Sequence, residues 1–239
     1  MLSKLLRLDR RRLEPEFMDD LALESARHRQ ALRGLERINQ VSFSAASLWG
    51  PIQNYYFQAG RKPLRILDIA SGAGDSVIAL SQMARKKNLP LVFEGCDFNP
   101  RAVSYASERA RSRNLDTHFF QMDALSEVIP ERFDAVINSL FLHHLSSDQL
   151  ARFFKSVHAS RVKLMVINDL KRSVRGLALC YLGTRFLSRS LIVHKDGLLS
   201  VRAAWTPLEI LQQISAAGYE NVQIKSIWPM RFVLTWHRS

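Results

Sequence analysis

Residues 67–80 read LDIASGAGDSVIAL, an aspartate and two glycines spaced as in a turn that brings backbone amides close to a ligand. A phosphate-cradling loop closes on Gly-Lys-Ser/Thr so that lysine and hydroxyl reach phosphate and magnesium; here Gly74 is followed by Asp75 and Ser76. A dinucleotide-binding turn needs a third glycine for helix–strand packing. Val77 stands at that position, and Asp75 would bring negative charge toward a pyrophosphate. What remains is a ligand with an adenosine-like body, no phosphates, and a cationic end beside Asp68 and Asp75. Asp97 closes the next apolar run, LVFEGCD, where a carboxylate can accept both hydroxyls of a ribose. Asp123, after FFQM, is placed to accept from an adenine amino group, with Phe98 and Met122 against the faces of the ring. Taken singly, each aspartate is equally a turn former, and Asp75 reads as the N-cap of the helix beginning SVIALSQMA.

A second group with chemical potential is His143 and His144 in SLFLHHLSS, just beyond the apolar run FDAVINSL. An imidazole with a pKa of about 6.5 suits general-base work near neutral pH. The pair equally suits the start of the following helix, with Leu142 and Leu145 packing beneath. Asn168 and Asp169 end VKLMVIND and could touch a substrate or orient a histidine. The acids needed for a catechol-type metal site do not assemble, and Cys96 and Cys180 lack metal or disulfide spacing, so no metal is expected.

Short apolar runs (LRILDI, LVFEGC, HFFQM, FDAVINSL, VKLMVIN) alternate with helix-period stretches, which predicts an α/β fold with a parallel sheet wrapped by helices. Asn99-Pro100 and Thr206-Pro207-Leu208-Glu209 mark two helix starts, the latter with capping-box spacing. NVQIKSI and RFVLTW, flanking Trp228-Pro229-Met230, predict a terminal hairpin at the sheet edge. Residues 1–62 read as a helical N-terminal arm or lid, interrupted at Gly50-Pro51, and 63–239 as the ligand-binding domain, with a long insertion over 171–204. Trp49, Tyr55 and Tyr56 are expected to pack the arm rather than line a pocket.

With 47% apolar residues, the 239-residue chain can bury a full core. No apolar run reaches the roughly 18–20 residues of a membrane span, and MLSKLLRLDRRR lacks a signal peptide's apolar core, so a cytoplasmic protein is expected. The net charge of +12 is uneven: residues 1–150 hold 20 basic and 18 acidic side chains, residues 151–239 hold 14 and 4. Solvated faces account for such an excess more often than an anionic partner does. The segment VRGLALCYLGTRFL reads as a cover over a greasy substrate, as a helix resting on a membrane surface, or as core packing.

ILDIASGAGD, FEGCDFNP, QMDAL and FDAVINSLFLHHL together resemble the four sequential motifs of class I S-adenosylmethionine-dependent methyltransferases, over roughly residues 64–170. Within that family the chain is similar to ubiquinone- and menaquinone-biosynthesis-type and polyketide-associated small-molecule enzymes. The resemblance implies a Rossmann-like, seven-stranded, mostly parallel sheet with an antiparallel last strand. It also implies S-adenosylmethionine as cofactor, a ligand that matches the description reached from the loop. By the same resemblance, Asp68, Ala70, Gly72 and Gly74 surround the methionine moiety, Asp97 holds the ribose, Phe98, Asp123 and Ala124 frame the adenine, and Asn138 and Ser139 face the methionine end. Ala70 stands where the family commonly has glycine, a change tolerated if its φ is negative. The implied activity is O- or C-methylation of a hydrophobic phenol, quinone precursor or polyketide-like acceptor. Two rival readings are an RNA or protein methyltransferase and a non-catalytic cofactor-binding subunit. Asn138-Ser139-Leu140-Phe141 departs from the Asp/Asn-Pro-Pro-aromatic motif of enzymes that methylate base amines, which argues against base amino groups as acceptors, though not against every RNA or protein target, and makes a nucleic-acid partner unexpected.

Overall fold

The computed structural model describes residues 6–19, 23–42 and 44–238. Its framework is a seven-stranded sheet of order β3-β2-β1-β4-β5-β7-β6. The strands are β1 (Leu64–Ile69), β2 (Leu91–Asp97), β3 (Phe119–Gln121), β4 (Ala135–Ser139), β5 (Leu164–Leu170), β6 (Gln223–Ile227) and β7 (Arg231–His237). Strands β1 to β5 pair in parallel, and β7 runs antiparallel between β5 and β6. The expected terminal hairpin is therefore present, with β6 rather than β7 at the edge.

The helices are α1 (Ser25–Val41), α2 (Ser44–Gln58), α3 (Asp75–Lys86), α4 (Pro100–Arg111), α5 (Ser147–Ala159), α6 (Val174–Leu187), α7 (Leu191–Ala203) and α8 (Pro207–Ala216). Period-two alternation in the central strands splits the core between the two faces of the sheet. Leu67, Ile69, Val136 and Phe232 join Phe153, Phe154 and Val157 of α5 and Ile210 and Ile214 of α8. Ile66, Phe93, Ile137 and Val166 join α2, α3 and α4 on the other face. Both faces are covered, which is why these strands read as continuous apolar runs.

Local signals explain several boundaries. Asn99 accepts the Arg101 amide at 3.0 Å with Pro100 in the first turn of α4, and Thr206 and Glu209 form a reciprocal capping box on α8. Two expectations need correction. Gly50-Pro51 does not end a helix, because α2 runs through both. Its Leu48, Trp49, Ile52 and Tyr56 are buried against the sheet, and that packing outweighs the backbone hydrogen bond lost at Pro51. Asp75 is not the cap of α3. Gly74 holds that position at φ 74°, and a Cβ there would lie 2.7 Å from the Phe119 ring.

Residues 171–204 fold into α6 and α7, which pack on each other and on α1. The N-terminal segment is laced to α7: the Phe17 and Met18 amides donate to the Asp196 carboxylate at 3.0 Å each, and the Ser200 hydroxyl donates to Glu16. Arg11 lies over the Trp205 ring at 3.9 Å and donates to the His143 carbonyl at 2.7 Å. Among the described residues no helix is long and apolar enough to cross a membrane.

Helix α1 is fixed by charge. Arg109 of α4 is buried and donates to Glu36 of α1, to Asp75 of α3 at 2.6 Å, and to the Ala73 carbonyl. Asn39 of α1 donates to the other Asp75 oxygen at 3.0 Å. Replacing Arg109 by glutamine leaves the largely buried Asp75 carboxylate without its cation and Glu36 with only Arg113, 3.3 Å away. We expect a loss of about 3 kcal/mol in urea unfolding and faster proteolysis in α1. Unchanged stability and digestion would show that the guanidinium does not anchor this helix.

Candidate functional site

The loop after β1 lies at the carboxyl ends of the central strands, the position at which open α/β sheets bind ligands. Register places Asp68 opposite Gly95 of β2 and Ile137 of β4, and Ile69 opposite Asn138. From there the chain turns sharply, with the Ser71 amide donating to the Cys96 carbonyl at 2.8 Å and the Gly74 amide to the Ser71 carbonyl at 2.8 Å. The Asp97 carboxylate completes the turn by accepting the Gly72 amide at 2.8 Å and the Asn99 amide at 2.9 Å.

Beside this loop is a cleft of about 300 Å³. It gathers Asp68, Ala70, Gly72, Asp97, Phe98, Ser139 and His144 from the sequence-derived set. Gly74, Met122, Asp123, Ala124, Asn138 and His143 are not part of its lining. Met122 and Ala124 are buried in the core, while Asp123 is exposed and accepts from the Leu125 amide at 3.0 Å and the Ser126 hydroxyl at 2.8 Å, closing its own turn. Asn138 donates to the Ile69 carbonyl at 2.8 Å and so braces β4 against the loop.

Ala70 differs from expectation: its φ is 55°, in the left-handed region that favours glycine, and Leu140 across the cleft is at 61°. For a side-chain-bearing residue this conformation costs about 1–2 kcal/mol. Two such residues facing one cleft follow the general clustering of strain at ligand sites.

The electrostatics of the cleft are dominated by acids. Asp68 is buried, and its Oδ1 has no hydrogen-bond partner. Burial, reinforced by the charges of Asp97 and Asp75, holds its carboxyl well above the usual carboxylate range. A cation placed here relieves Asp68, the one of the three without a partner. The half-exposed Phe98 ring offers a stacking surface at the same rim. These features fit a ligand with an aromatic body, a diol and a cationic end.

The two histidines occupy different environments. His143 is buried; Asp169 Oδ1 lies 2.7 Å from its Nδ1, and Asp169 Oδ2 accepts its backbone amide at 3.1 Å. Asp169 thus orients a histidine, as its place at the end of β5 allowed. Burial alone would raise the Asp169 carboxyl, but His143 and the Leu170 amide reverse the sign and hold it below the usual range. An ionised Asp169 favours a proton on the Nδ1 that faces it. His143 Nε2 lies 3.8 Å from Glu16, and its ring is 4.3 Å from that of His144. Donor atoms of Glu16, His143 and His144 all fall within 4.8 Å of one another, a spacing open to proton sharing or to a divalent cation.

Sequence reading missed Glu16, whose neighbours carry no motif, and Arg109. The latter was detectable, because Arg109 lies on the same helical face as Ala102, Ala106 and Ala110, where a charged residue needs a buried partner. It also missed the contribution of Leu32, Leu35 and Asn39 of α1, which line the cleft opposite the loop.

Residues 66–161 match the family model described as a methyltransferase domain. The demethylmenaquinone methyltransferase of Thermus thermophilus is 36% identical over 77 residues, 32% of this chain and 33% of that protein. Its counterpart from Deinococcus radiodurans is 36% identical over 75 residues, 31% and 30% of the two chains. The chain thus aligns with only about a third of the length of the curated relatives it matches. Among solved structures, magnesium protoporphyrin IX methyltransferase from Synechocystis, with S-adenosylhomocysteine bound, superposes with a TM-score of 0.57 at 14% identity, covering 100% of this chain and 94% of its own. The methyltransferase SibL reaches 0.65 at 16% identity, covering 98% and 64%.

Because the folded-state pKa of Asp169 is depressed, its contribution to stability is complete above the unfolded-state value of about 3.9 and is lost as pH falls through the folded value. The Asp169→Asn variant should therefore be less stable than wild type at neutral pH, with the gap closing in acid. Urea midpoints measured from about pH 7 down to pH 3 read this directly, and a gap independent of pH would refute the ionised dyad.

Proposed function

We propose, from the premise that residues 66–161 are a methyltransferase domain, that the chain transfers a methyl group from S-adenosylmethionine to a hydrophobic small molecule. The observation that carries this reading is the trio Asp68, Asp75 and Asp97 around a phosphate-excluding turn, with one buried Asp68 oxygen unpartnered. When bound, the cofactor supplies an electrophilic methyl group on a sulfonium. The protein's task is alignment, exclusion of water and, for a phenol or enol, proton removal.

Asp97 accepts the ribose hydroxyls while still fixing Gly72 and Asn99; a carboxylate has about four lone-pair sites, enough for both tasks. Phe98 stacks on the adenine. Asp68 faces the cationic amino-acid end, and Ser139 lies on that side of the cleft. Asn138 acts through the loop backbone it braces, and Met122 and Ala124 back the adenine rim from the core, while Asp123, committed to its own turn, takes no part. Helix α1 and the segment around Met18 cover the cleft as a lid that excludes water.

His144 lines the cleft and is the catalytic base beside the acceptor; His143, held by Asp169, is a positioning residue packed against its ring. The acceptor is a phenol, quinone precursor or polyketide-like molecule. The relatives' name supports the quinone class, and a neighbour of TM-score 0.55 was solved with apigenin, a phenol.

Two measurements test this. Calorimetry should give micromolar binding of S-adenosylmethionine and S-adenosylhomocysteine, no binding of NAD, and loss of affinity in Asp97→Ala. In transfer of labelled methyl to alkylphenols and quinols, His144→Ala should cost about 100-fold or more in turnover with cofactor affinity unchanged. His143→Asn should cost less. The reverse order would exchange the two roles, and a folded protein that binds neither sulfur cofactor would end the assignment.

A third test uses Asp68. A bound cation favours its ionised form, so binding should release a proton, and cofactor affinity should rise with pH until Asp68 is ionised in the free protein. Titration in buffers of different ionisation enthalpy measures that proton, and Asp68→Asn should abolish the release. An unchanged release in the variant would show that another group carries the linkage.

A further inference from the structure

A second cavity of about 220 Å³ lies between α1, α6 and the β6–β7 turn, and among the described residues it shares no lining residue with the cleft beside the loop. Its walls are chiefly apolar: Ile38 and Val41 of α1, Leu179 and Leu187 of α6, and Trp228 and Met230 of the turn. An engineered apolar cavity of about 150 Å³ is enough to take up benzene. One residue is out of place in such a lining. Arg231, only 3% exposed, is among the lining residues, and its guanidinium has no carboxylate within 4.0 Å among the described residues.

Of its nitrogens, Nη1 donates to the Ser44 hydroxyl and Nε has no partner. Ser44 is the first residue of α2, so the cation also faces the positive end of a helix. The nearest balancing acid, Asp169, spends its two oxygens on His143 and the Leu170 amide. Burial pulls the guanidinium down to about 10 against the opposing pull of Asp169 and Cys180. A buried cation in this condition is costly unless an anion joins it, and an apolar chamber with one such cation recognises an apolar body bearing one anionic oxygen group.

We infer that this cavity is a binding site for an apolar carboxylate or phenolate, with Arg231 as its anion anchor and α1, α6 and the β6–β7 turn enclosing the hydrocarbon part. Helix α1 separates the site from the cleft, presenting Ile38 and Val41 to the cavity and Leu35 and Asn39 to the cleft. The inference goes beyond methyl transfer and stands whether or not that reading does, because its test needs no cofactor.

The test is calorimetric titration of the full chain with octanoate and with octan-1-ol, which share a chain and differ in charge. Octanoate should bind at least about tenfold more tightly, a difference of about 1.4 kcal/mol. In Arg231→Met the two should become equal. Arg231 is buried, so a second variant guards against misfolding: Gly183 lines the cavity and a Cβ there meets nothing within 4 Å, so Gly183→Leu should fill the chamber in a folded protein. It should lose both ligands. Equal binding of octanoate and octanol by wild type, no binding of either, or octanoate binding unaffected in Gly183→Leu would each overturn the inference.

Discussion

The guanidinium of Arg109 reaches three parts of the chain that would otherwise be independent: Glu36 of α1, Asp75 at the start of α3, and the Ala73 carbonyl inside the ligand loop. An arginine can do this because its fork presents five donors in a fixed plane, and burial makes each contact count more than at a surface. Much else follows from it. Seating Asp75 lets α3 begin directly from the left-handed Gly74 without a side-chain cap. Seating Glu36 draws α1 across the carboxyl edge of the sheet, so that Leu32, Leu35 and Asn39 form the outer wall of the cleft. The pair is partly open to water on the acidic side, and the link is therefore strong enough to define a resting position for α1 without making it permanent.

The same economy of charge runs through the site. Asp75 is neutralised by Arg109, and Asp97 is satisfied by backbone amides, but Asp68 has neither and is driven toward its neutral form. Among neighbouring acids, the one that lacks a protein partner is the one whose ionisation a ligand can control. Asp169 is the opposite case, an acid just as deep but satisfied by His143 and two backbone amides, and its ionisation serves to orient an imidazole. Depth alone does not set the charge of a carboxylate. Local donors do.

The parallel sheet, its terminal hairpin and much of the cleft were legible in the sequence because apolar runs and turn residues act locally, while the count of seven strands came with the family resemblance. Asp68, Asp97 and Phe98 were placed at strand ends from the residues themselves, Gly72 and Ser139 by the family resemblance, and they meet at one cleft. Position after a strand does not fix side-chain direction, however. Asp123 follows β3 as Asp97 follows β2, yet Ser126 and the Leu125 amide capture its carboxylate locally and it turns away from the cleft. The left-handed backbone of Ala70 was hidden for a related reason: alanine carries no signal for positive φ, and only the surrounding turn imposes it. Glu16 and Arg231 were hidden because their surroundings come from segments far away in the chain.

Arg231 and His143 show how one strand pairing couples two chemistries. In the β5–β7 ladder Asp169 stands opposite Phe232 and Leu170 opposite Arg231, so the acid that orients the imidazole and the buried guanidinium occupy adjacent rungs. Asp169 directs its oxygens toward His143 and only its longer-range field toward Arg231. A one-residue slip would exchange the faces of β7 and turn Arg231 to the other side of the sheet. The slip is opposed by the alternation of Phe232, Leu234 and Trp236 into the core on one face and Val233 on the other. The hydrophobic pattern of β7 is therefore what keeps a hydrogen-bonded histidine on one side of the ladder and an anion-seeking arginine on the other.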